Sequence, residues 1–568
     1  MPVQKPRWMR LLAWLTISVG TLSAGITEGA AAPTGSGASG WRAYTNGLNA
    51  GGNKGGQNDK SGQNDKSDAS AAGSAFINPF GSDSKGASLI PNKESKDHHK
   101  ESESVLSKLL KAAFIRHGNL WVKSGNMEEQ LTKTGKVFYP SWSASGQWIV
   151  YLKETVNKET ANRVNTEVWA YSVPGRKHYR LSAVGWNPRW SPNQDLIAFQ
   201  VEDGLKVIAL TTRGPSVPLV LQAKVPRFRV GNYSWLPDGS GFLLSSVAQF
   251  GNQWSNAAVY RLSLKNPLFV GAPSIYNPVG VTESVPKLTM LFVIPQYIEI
   301  PPNSRLQPPD IGVSEGNLPE PPSPPVKQPA PSILGVHTTG FKFSPDGRWV
   351  AFVVAPTPSW SMDSDVLCVL RTDGHKFHPL AEVLVRNEDW FAWAPKSNLL
   401  AYIEGGNRIA FRNKHLNTAW ISNSSMKAAQ TWTPLGTAEN GFDWVGPVSL
   451  ITSRMKEAQG FPAASNRPFP ALYQIGIATG ILHEPFTAPP KGTGDFYPQY
   501  LAAPAKIGWV RSNRDHGDVY LADTDGSHAH VWLQDIDPGT WYYEQWDWRR
   551  TLAWYEPPLT ASVLYPHS

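Results

Sequence analysis

One short pattern returns along most of this chain: an aromatic residue or proline, then Trp or Phe, then Ser-Pro-Asp-Gly or a relaxed version, then a β-rich apolar run. It reads YPSWSASGQWIVYL from Tyr139, NPRWSPNQDLIAFQ from Asn187, NYSWLPDGSGFLLSS from Asn232 and FKFSPDGRWVAFVV from Phe341. Weaker copies are WFAWAPKSNLLAYI from Trp390, FDWVGPVSLITS from Phe442, YPQYLAAPAKIGWV from Tyr497 and YEQWDWRRTLAWY from Tyr543. Placing the key aromatic of each copy at Trp142, Trp190, Trp235, Phe343, Trp393, Trp444, Tyr500 and Trp546 gives steps of 48, 45, 108, 50, 51, 56 and 46 residues. All but one fit the repeat length of propeller blades, roughly 40–50 residues.

The residue chemistry of the repeat is structural. Proline presets φ, Asp hydrogen-bonds its own backbone and Gly accepts positive φ, so Pro-Asp-Gly closes a tight turn between two strands. The runs beside it, such as Trp349-Val350-Ala351-Phe352 and Leu399-Leu400-Ala401-Tyr402, are apolar on both faces, as in sheets covered on both sides. The repeated Trp is therefore expected to pack between blades. A second half recurs as GNLWVKSGNMEEQLT at 118–132, SDVLCVLRTDGHKFHPL at 364–380 and GDVYLADTDGSHAHVWL at 517–533, read as the outer strand pair. The region expected to fold begins with such an outer half, Asn119 to Thr132, and ends with an inner one, Tyr543 to Tyr555. Pairing the first strands with the last blade would close the ring and leave no exposed sheet edge. The fold class expected is all-β, a propeller of eight blades, with seven left open by the weak copies at Trp444 and Tyr500.

Flanking segments have other compositions. Lys5, Arg7 and Arg10, the apolar stretch 11–26 and the small residues Gly29 to Ala32 have the order of a secretory signal over 1–32; an uncleaved anchor is the alternative. Its removal takes the formal net charge from +8 to +6, since Glu28 leaves with the three cations. Residues 33–103, with the direct repeat GQNDKS at 56–61 and 62–67, lack the apolar residues to offset ordering entropy and read as a tether. Val105, Leu106, Leu109, Leu110, Ala113 and Phe114 recur at near-helical spacing and predict a short amphipathic helix at the start of the propeller region, 104–568. The step of 108 residues predicts an insertion from about 280 to 335, because 301–332 holds eleven Pro and each removes a ladder donor.

The Pro-x-Trp-Ser-Pro-Asp-Gly-x-x-Ile-Ala-Phe pattern, over about residues 113–556, resembles the WD40-like repeat of TolB-type propellers, which also builds the propeller domains of the prolyl oligopeptidase and dipeptidyl peptidase families. The resemblance implies an extracytoplasmic propeller that binds other proteins at its channel mouth. The sequence departs from TolB in having more blades and, in place of an N-terminal α/β domain, only the tether.

Catalytic and metal motifs are sparse. No Gly-x-Ser-x-Gly, HExxH or Walker loop occurs, and one Cys among 568 residues excludes a disulfide framework or thiolate cluster. Cys368 lies in an apolar run and reads as a buried thiol, His98-His99 as solvated, and Asp363 and Asp365 as solvated rather than as a glycosidase pair. No cofactor and no metal is expected. With only 17% charged residues, the basic excess is not a nucleic-acid footprint. Residues opening each inner strand should ring one channel mouth. Lys133, Lys136, Arg227 and Arg229 make it basic over the early blades, and Glu388, Asp389, Glu439, Asp495 and Glu544 make it acidic over the late ones. That arrangement suits an envelope protein or peptide, and Trp541, Tyr542 and Tyr543 offer faces for stacking. The expected function is a non-catalytic interaction module, exported to the cell envelope or tethered there through its N-terminus. The alternative is a secreted enzyme or binding protein acting on polysaccharide.

Overall fold

The blades are built on buried second strands, most of them apolar on both faces. In Trp349–Ala355 all seven residues are buried. Trp349, Ala351 and Val353 pack toward Phe391, Leu400 and Tyr402 on one side. Val350, Phe352 and Val354 pack toward Leu243 and Val259 on the other. The strand alternation of period two is present, but both faces meet a neighbouring sheet, so it is invisible as a polarity pattern.

The computed structural model describes residues 110–557 except 158–162, 203, 217–218, 222–228, 250–253, 265–286, 303–329, 358–363, 385–387, 407–408, 424–429, 460–465 and 543–544. They form eight antiparallel blades. Blades 1 to 7 open on the inner strands Val137–Trp142, Trp186–Trp190, Val230–Trp235, His337–Phe343, Phe391–Trp393, Thr437–Trp444 and Gly494–Leu501. Each continues outward through consecutive strands. Blade 8 joins the inner strand Leu552–Trp554 to Lys111–Arg116, followed by Asn119–Ser124 and Met127–Gln130. Ala113 stands opposite Ala553 in that ladder, so the first and last described strands close the ring. Two small hairpins lie outside the blades, Tyr297–Glu299 with Ser332–Leu334 and Thr540–Tyr542 with Gln545–Asp547.

The repeat motif does local work at each turn. Ser344 donates its hydroxyl to Asp346 Oδ1 at 2.6 Å, Arg348 N donates to the same oxygen at 3.0 Å, and Gly347 takes φ 68°. Asn398 of blade 5 donates to Asp346 Oδ2 at 2.8 Å, so the turn also ties adjacent blades. The repeated Trp does the same along the ring. The indole N–H of Trp190 donates to Ser141 O, Trp235 to Arg189 O, Trp393 to Lys342 O and Trp444 to Ala392 O, at 2.9–3.1 Å. Each accepting carbonyl belongs to the residue before the preceding blade's own key aromatic.

That rule corrects the last copy. Trp142 donates to Ala553 O, which makes Trp554 the eighth key aromatic. Trp546 instead sits in the Gln545–Asp547 strand of the small hairpin, outside the blade. Three further expectations change. Lys111–Arg116, which includes Ala113 and Phe114, is a strand with four residues buried on both faces, so the helical spacing was incidental; 104–109 lie outside the described residues. Lys287–Val293 is the outer strand of blade 3, paired with Ala258–Ser263, so the departure from the repeat between blades 3 and 4 begins after Val293 rather than near 280. The excess length is thereby split between 265–286, within blade 3, and the stretch after Val293. The expected signal, 1–32, and tether, 33–103, also lie outside the described residues. Among the described residues no helix is long and apolar enough to cross a membrane.

Candidate functional site

The inner strands break their ladders near one level. Register shifts fall between Phe138 and Ser141 in blade 1, Trp186 and Arg189 in blade 2, and Phe496 and Gln499 in blade 7. Inside each break one residue takes left-handed backbone: Tyr139 at φ 50°, Asn187 at 52° and Tyr497 at 52°. Blades 4 and 6 use Gly340 and Gly441 at φ 70° and 117° in the same place. For a non-glycine residue this conformation costs roughly 1–2 kcal/mol, and bulges of this kind re-aim a side chain. Tyr139, Asn187 and Tyr497 all line a cavity of about 880 Å³.

Charged groups from distant parts of the chain meet at its wall. Arg189 pairs with Glu388 at 3.1 Å, and Thr339 donates to the other oxygen of that carboxylate at 2.8 Å. Arg549 pairs with Asp389 at 3.0 Å and Asp547 at 2.9 Å, and Tyr139 donates its hydroxyl to Asp547 at 2.6 Å. The Lys342 ammonium donates to the carbonyls of Glu388 and Phe391. The short turns Glu388–Trp390 and Trp548–Arg550 supply the acids and the guanidinium.

The environment drives these carboxyls apart. Burial opposes the charge on Glu388, yet the Arg189 and Arg549 guanidiniums and the Thr339 hydroxyl bring it down to about 2. Asp389 moves the other way, because burial outweighs the attraction of Arg549 and Lys342. Burial raises Asp443 to about 6 despite hydrogen bonds from the Tyr500 and Trp444 amides. Glu556, on the cavity wall, is raised to about 7 by burial and by Asp443. Burial pushes the Tyr139 and Tyr497 phenols up and Lys342 down.

The residues expected at the mouth divide into three groups. Glu388 and Asp389 are brought together in the network above. Lys133, Lys136 and Arg229 are exposed, while Arg227 and Glu544 lie outside the described residues. Glu439 and Asp495 are fully buried inside blades 6 and 7 and do not reach the mouth. Glu439 pairs at 2.7 Å with Arg454, the residue opposite it in the ladder, and accepts from Thr433 and Thr452. Asp495 pairs at 2.7 Å with Arg511, also directly opposite, and accepts from the Trp509 indole. A carboxylate opposite an arginine across one rung is satisfied within its own blade.

Cys368 is buried with its thiol pushed up by burial, Asp365 is buried in blade 4, and Asp363, Tyr543 and His98-His99 lie outside the described residues. Trp541 and Tyr542 fall in the small hairpin. Sequence reasoning missed Tyr139, Asn187, Arg189, Thr339, Lys342, Tyr497, Asp547 and Arg549. The available signal was the dipeptide Tyr139-Pro140, Asn187-Pro188 and Tyr497-Pro498, which marks three of the left-handed positions. Among the described residues no cluster of three or more His, Cys, Asp or Glu is arranged to hold a metal ion.

No described protein family and no curated protein matches this sequence. Among solved structures it is similar to puromycin hydrolase, at 12% identity and a TM-score of 0.38, with 72% of this chain and 55% of that one covered. It is also similar to an oligogalacturonate lyase from Vibrio parahaemolyticus, at 10% identity and a TM-score of 0.37, covering 73% and 97%. A structure described as a eukaryotic initiation factor aligns at 10% identity and a TM-score of 0.42, covering 79% and 88%. The aligned part spans about half the length of puromycin hydrolase.

Proposed function

We propose that this protein is an exported binding propeller whose channel holds a polar, hydroxyl-rich ligand of the glycan class. The observation that carries this is Trp186. It opens the inner strand of blade 2, is 42% exposed, and lines the cavity that also holds Arg189 and Glu388. The preceding Gly185 packs closely, since a Cβ there would lie 2.8 Å from Val168 and 2.9 Å from Phe199. An exposed indole face beside hydrogen-bonding and charged groups matches a sugar ring, which offers an apolar face and an equatorial fringe of hydroxyls. The protein-interaction reading comes from the resemblance to TolB-type propellers and from a mouth basic over the early blades and acidic over the late ones; two of the acids expected there, Glu439 and Asp495, are enclosed in their own blades.

The test is titration with a set of neutral and acidic oligosaccharides, followed by tryptophan fluorescence and calorimetry. Saturable binding that Trp186→Ala weakens about tenfold supports the reading, since aromatic contacts of this kind contribute about 0.5–1.5 kcal/mol. Absence of binding to every glycan, with a stoichiometric protein partner recovered instead, overturns it.

A hydrolytic version is favoured by one observation. Two carboxyls of unlike character line the same cavity wall, Glu388 kept ionised by Arg189 and Arg549 and Glu556 raised to about 7 by burial. Release of reducing ends from a bound glycan, lost in Glu388→Gln, would establish it.

A further inference from the structure

The mouth looks balanced in the sequence, basic on one side and acidic on the other, but the four expected acids among the described residues are each paired with an arginine. Glu388 and Asp389 are paired with Arg189 and Arg549, and Glu439 and Asp495 with Arg454 and Arg511. The basic side keeps its charge. Lys133, Lys136 and Arg229 are exposed, and none has a carboxylate within ion-pair distance among the described residues. The nearest acid by connectivity is Glu154, whose amide donates to Lys136 O at 2.9 Å, and its carboxylate is taken by Arg550 at 3.2 Å.

These cations share a level with Trp186. Lys136 immediately precedes the inner strand of blade 1, Trp186 opens that of blade 2, and Arg229 immediately precedes that of blade 3. Blade 2 is joined to both neighbours there. Gly185 N donates to Thr166 O of blade 1 at 3.0 Å, and Gln200, opposite Trp186 in the ladder, donates through its side chain to Val230 O at 2.9 Å. An indole face is thus flanked on consecutive blades by cations with no carboxylate at ion-pair distance among the described residues.

We infer that the ligand is an acidic polysaccharide, bearing carboxylates along its chain, which lies across the mouths of blades 1 to 3 with a sugar ring on Trp186 and its anions toward Lys136 and Arg229. This rests on the glycan reading above and names its class. Exposed cations act mainly on encounter rate and on salt-sensitive affinity, so the preference for acid over neutral sugar should fade as salt rises.

The probes are a hexamer of galacturonate, the neutral maltohexaose and polyglutamate of equal charge, each titrated into the full-length protein at low and at about 0.3 M salt. The galacturonate hexamer should bind tighter than maltohexaose, and high salt should narrow the gap. The triple variant Lys133→Ala, Lys136→Ala, Arg229→Ala should weaken galacturonate about 10–100-fold, at up to about fivefold per exposed cation, while maltohexaose changes less than twofold. Trp186→Ala should weaken both sugars. Equal affinity for both sugars in the wild-type protein overturns this inference and leaves the glycan reading standing. Absence of binding to either overturns both. Polyglutamate binding as tightly as galacturonate, with neither affected by Trp186→Ala, shows an unspecific cationic surface and also overturns it.

Discussion

The indole N–H of Trp142 donates to the backbone carbonyl of Ala553 at 3.1 Å, across 411 residues of chain. It is the same bond that links blades 1 and 2, 2 and 3, 4 and 5, and 5 and 6, here used to join the last inner strand to the first full blade. Trp142→Phe keeps most of the ring's packing and removes only this donor. A net loss of about 1 kcal/mol is expected in urea unfolding, with Ala553 O left to find water. Because the bond sits at the seam, the variant should also become cleavable in Lys111–Arg116 before any other strand, which limited proteolysis with N-terminal sequencing will show.

Seven of the eight key aromatics are readable from the motif because the aromatic, the turn after it and the apolar run that follows are adjacent in sequence. The eighth is not. Trp546 sits at the expected spacing, yet it belongs to a hairpin, whereas Trp554 lies in an inner strand of only three residues with no following Pro-Asp-Gly. The charged network is less legible still, since Arg189, Glu388 and Arg549 are remote in sequence and meet only when the ring closes. The division among the acids has a similar cause. Glu388 and Glu439 both stand at the inner end of a blade, and only the ladder register, which puts Arg454 opposite Glu439, decides that one is internal and the other faces the channel.

Arg549 carries the channel's charge balance. It lies 3.0 Å from Asp389, 2.9 Å from Asp547 and 4.0 Å from Glu388, and keeps 29% of its side chain open to the channel. Arg549→Met leaves three carboxylates without their common cation. Breaking a fully buried pair costs about 3–5 kcal/mol, and solvent in the channel lowers the expectation here to about 2 kcal/mol. The loss should shrink at pH 4, where protonation relieves the repulsion, and urea unfolding at pH 4 and pH 7 will show whether it does.

Lys414 is fully buried and donates to the carbonyls of Gly406 at 2.7 Å and Arg412 at 3.4 Å, with no carboxylate in ion-pair contact among the described residues. Burial brings its ammonium down to about 7 from an ordinary 10.5. Between those values the unfolded chain holds a proton that the folded one has released, so this residue makes stability rise with pH from about 7 to about 10. Its full penalty is present below pH 7. Lys414→Met should therefore stabilise the protein by about 1–4 kcal/mol at pH 6, less the two hydrogen bonds, and the gain should vanish toward pH 10. Thermal unfolding of both proteins across that range is the measurement; a gain that does not depend on pH would show that packing, not charge, is responsible.

Glu439 offers the cleanest separation of folding from binding. Its carboxylate is wholly enclosed, accepting from Arg454 at 2.7 Å, Thr433 at 2.8 Å and Thr452 at 2.7 Å, while Arg454 also donates to Trp432 O and lies over the Tyr473 ring. Glu439→Gln keeps the shape but gives up the charge that offsets Arg454, and one amide N–H must face a donor. A cost of about 3–5 kcal/mol is expected, because an uncompensated guanidinium stays buried in blade 6. The folded fraction should bind its ligand with unchanged affinity, since nothing in this cluster reaches the channel. Urea unfolding and glycan titration on the same preparation give both values. Weakened binding at intact stability would return Glu439 to the mouth, where its place in the sequence first put it.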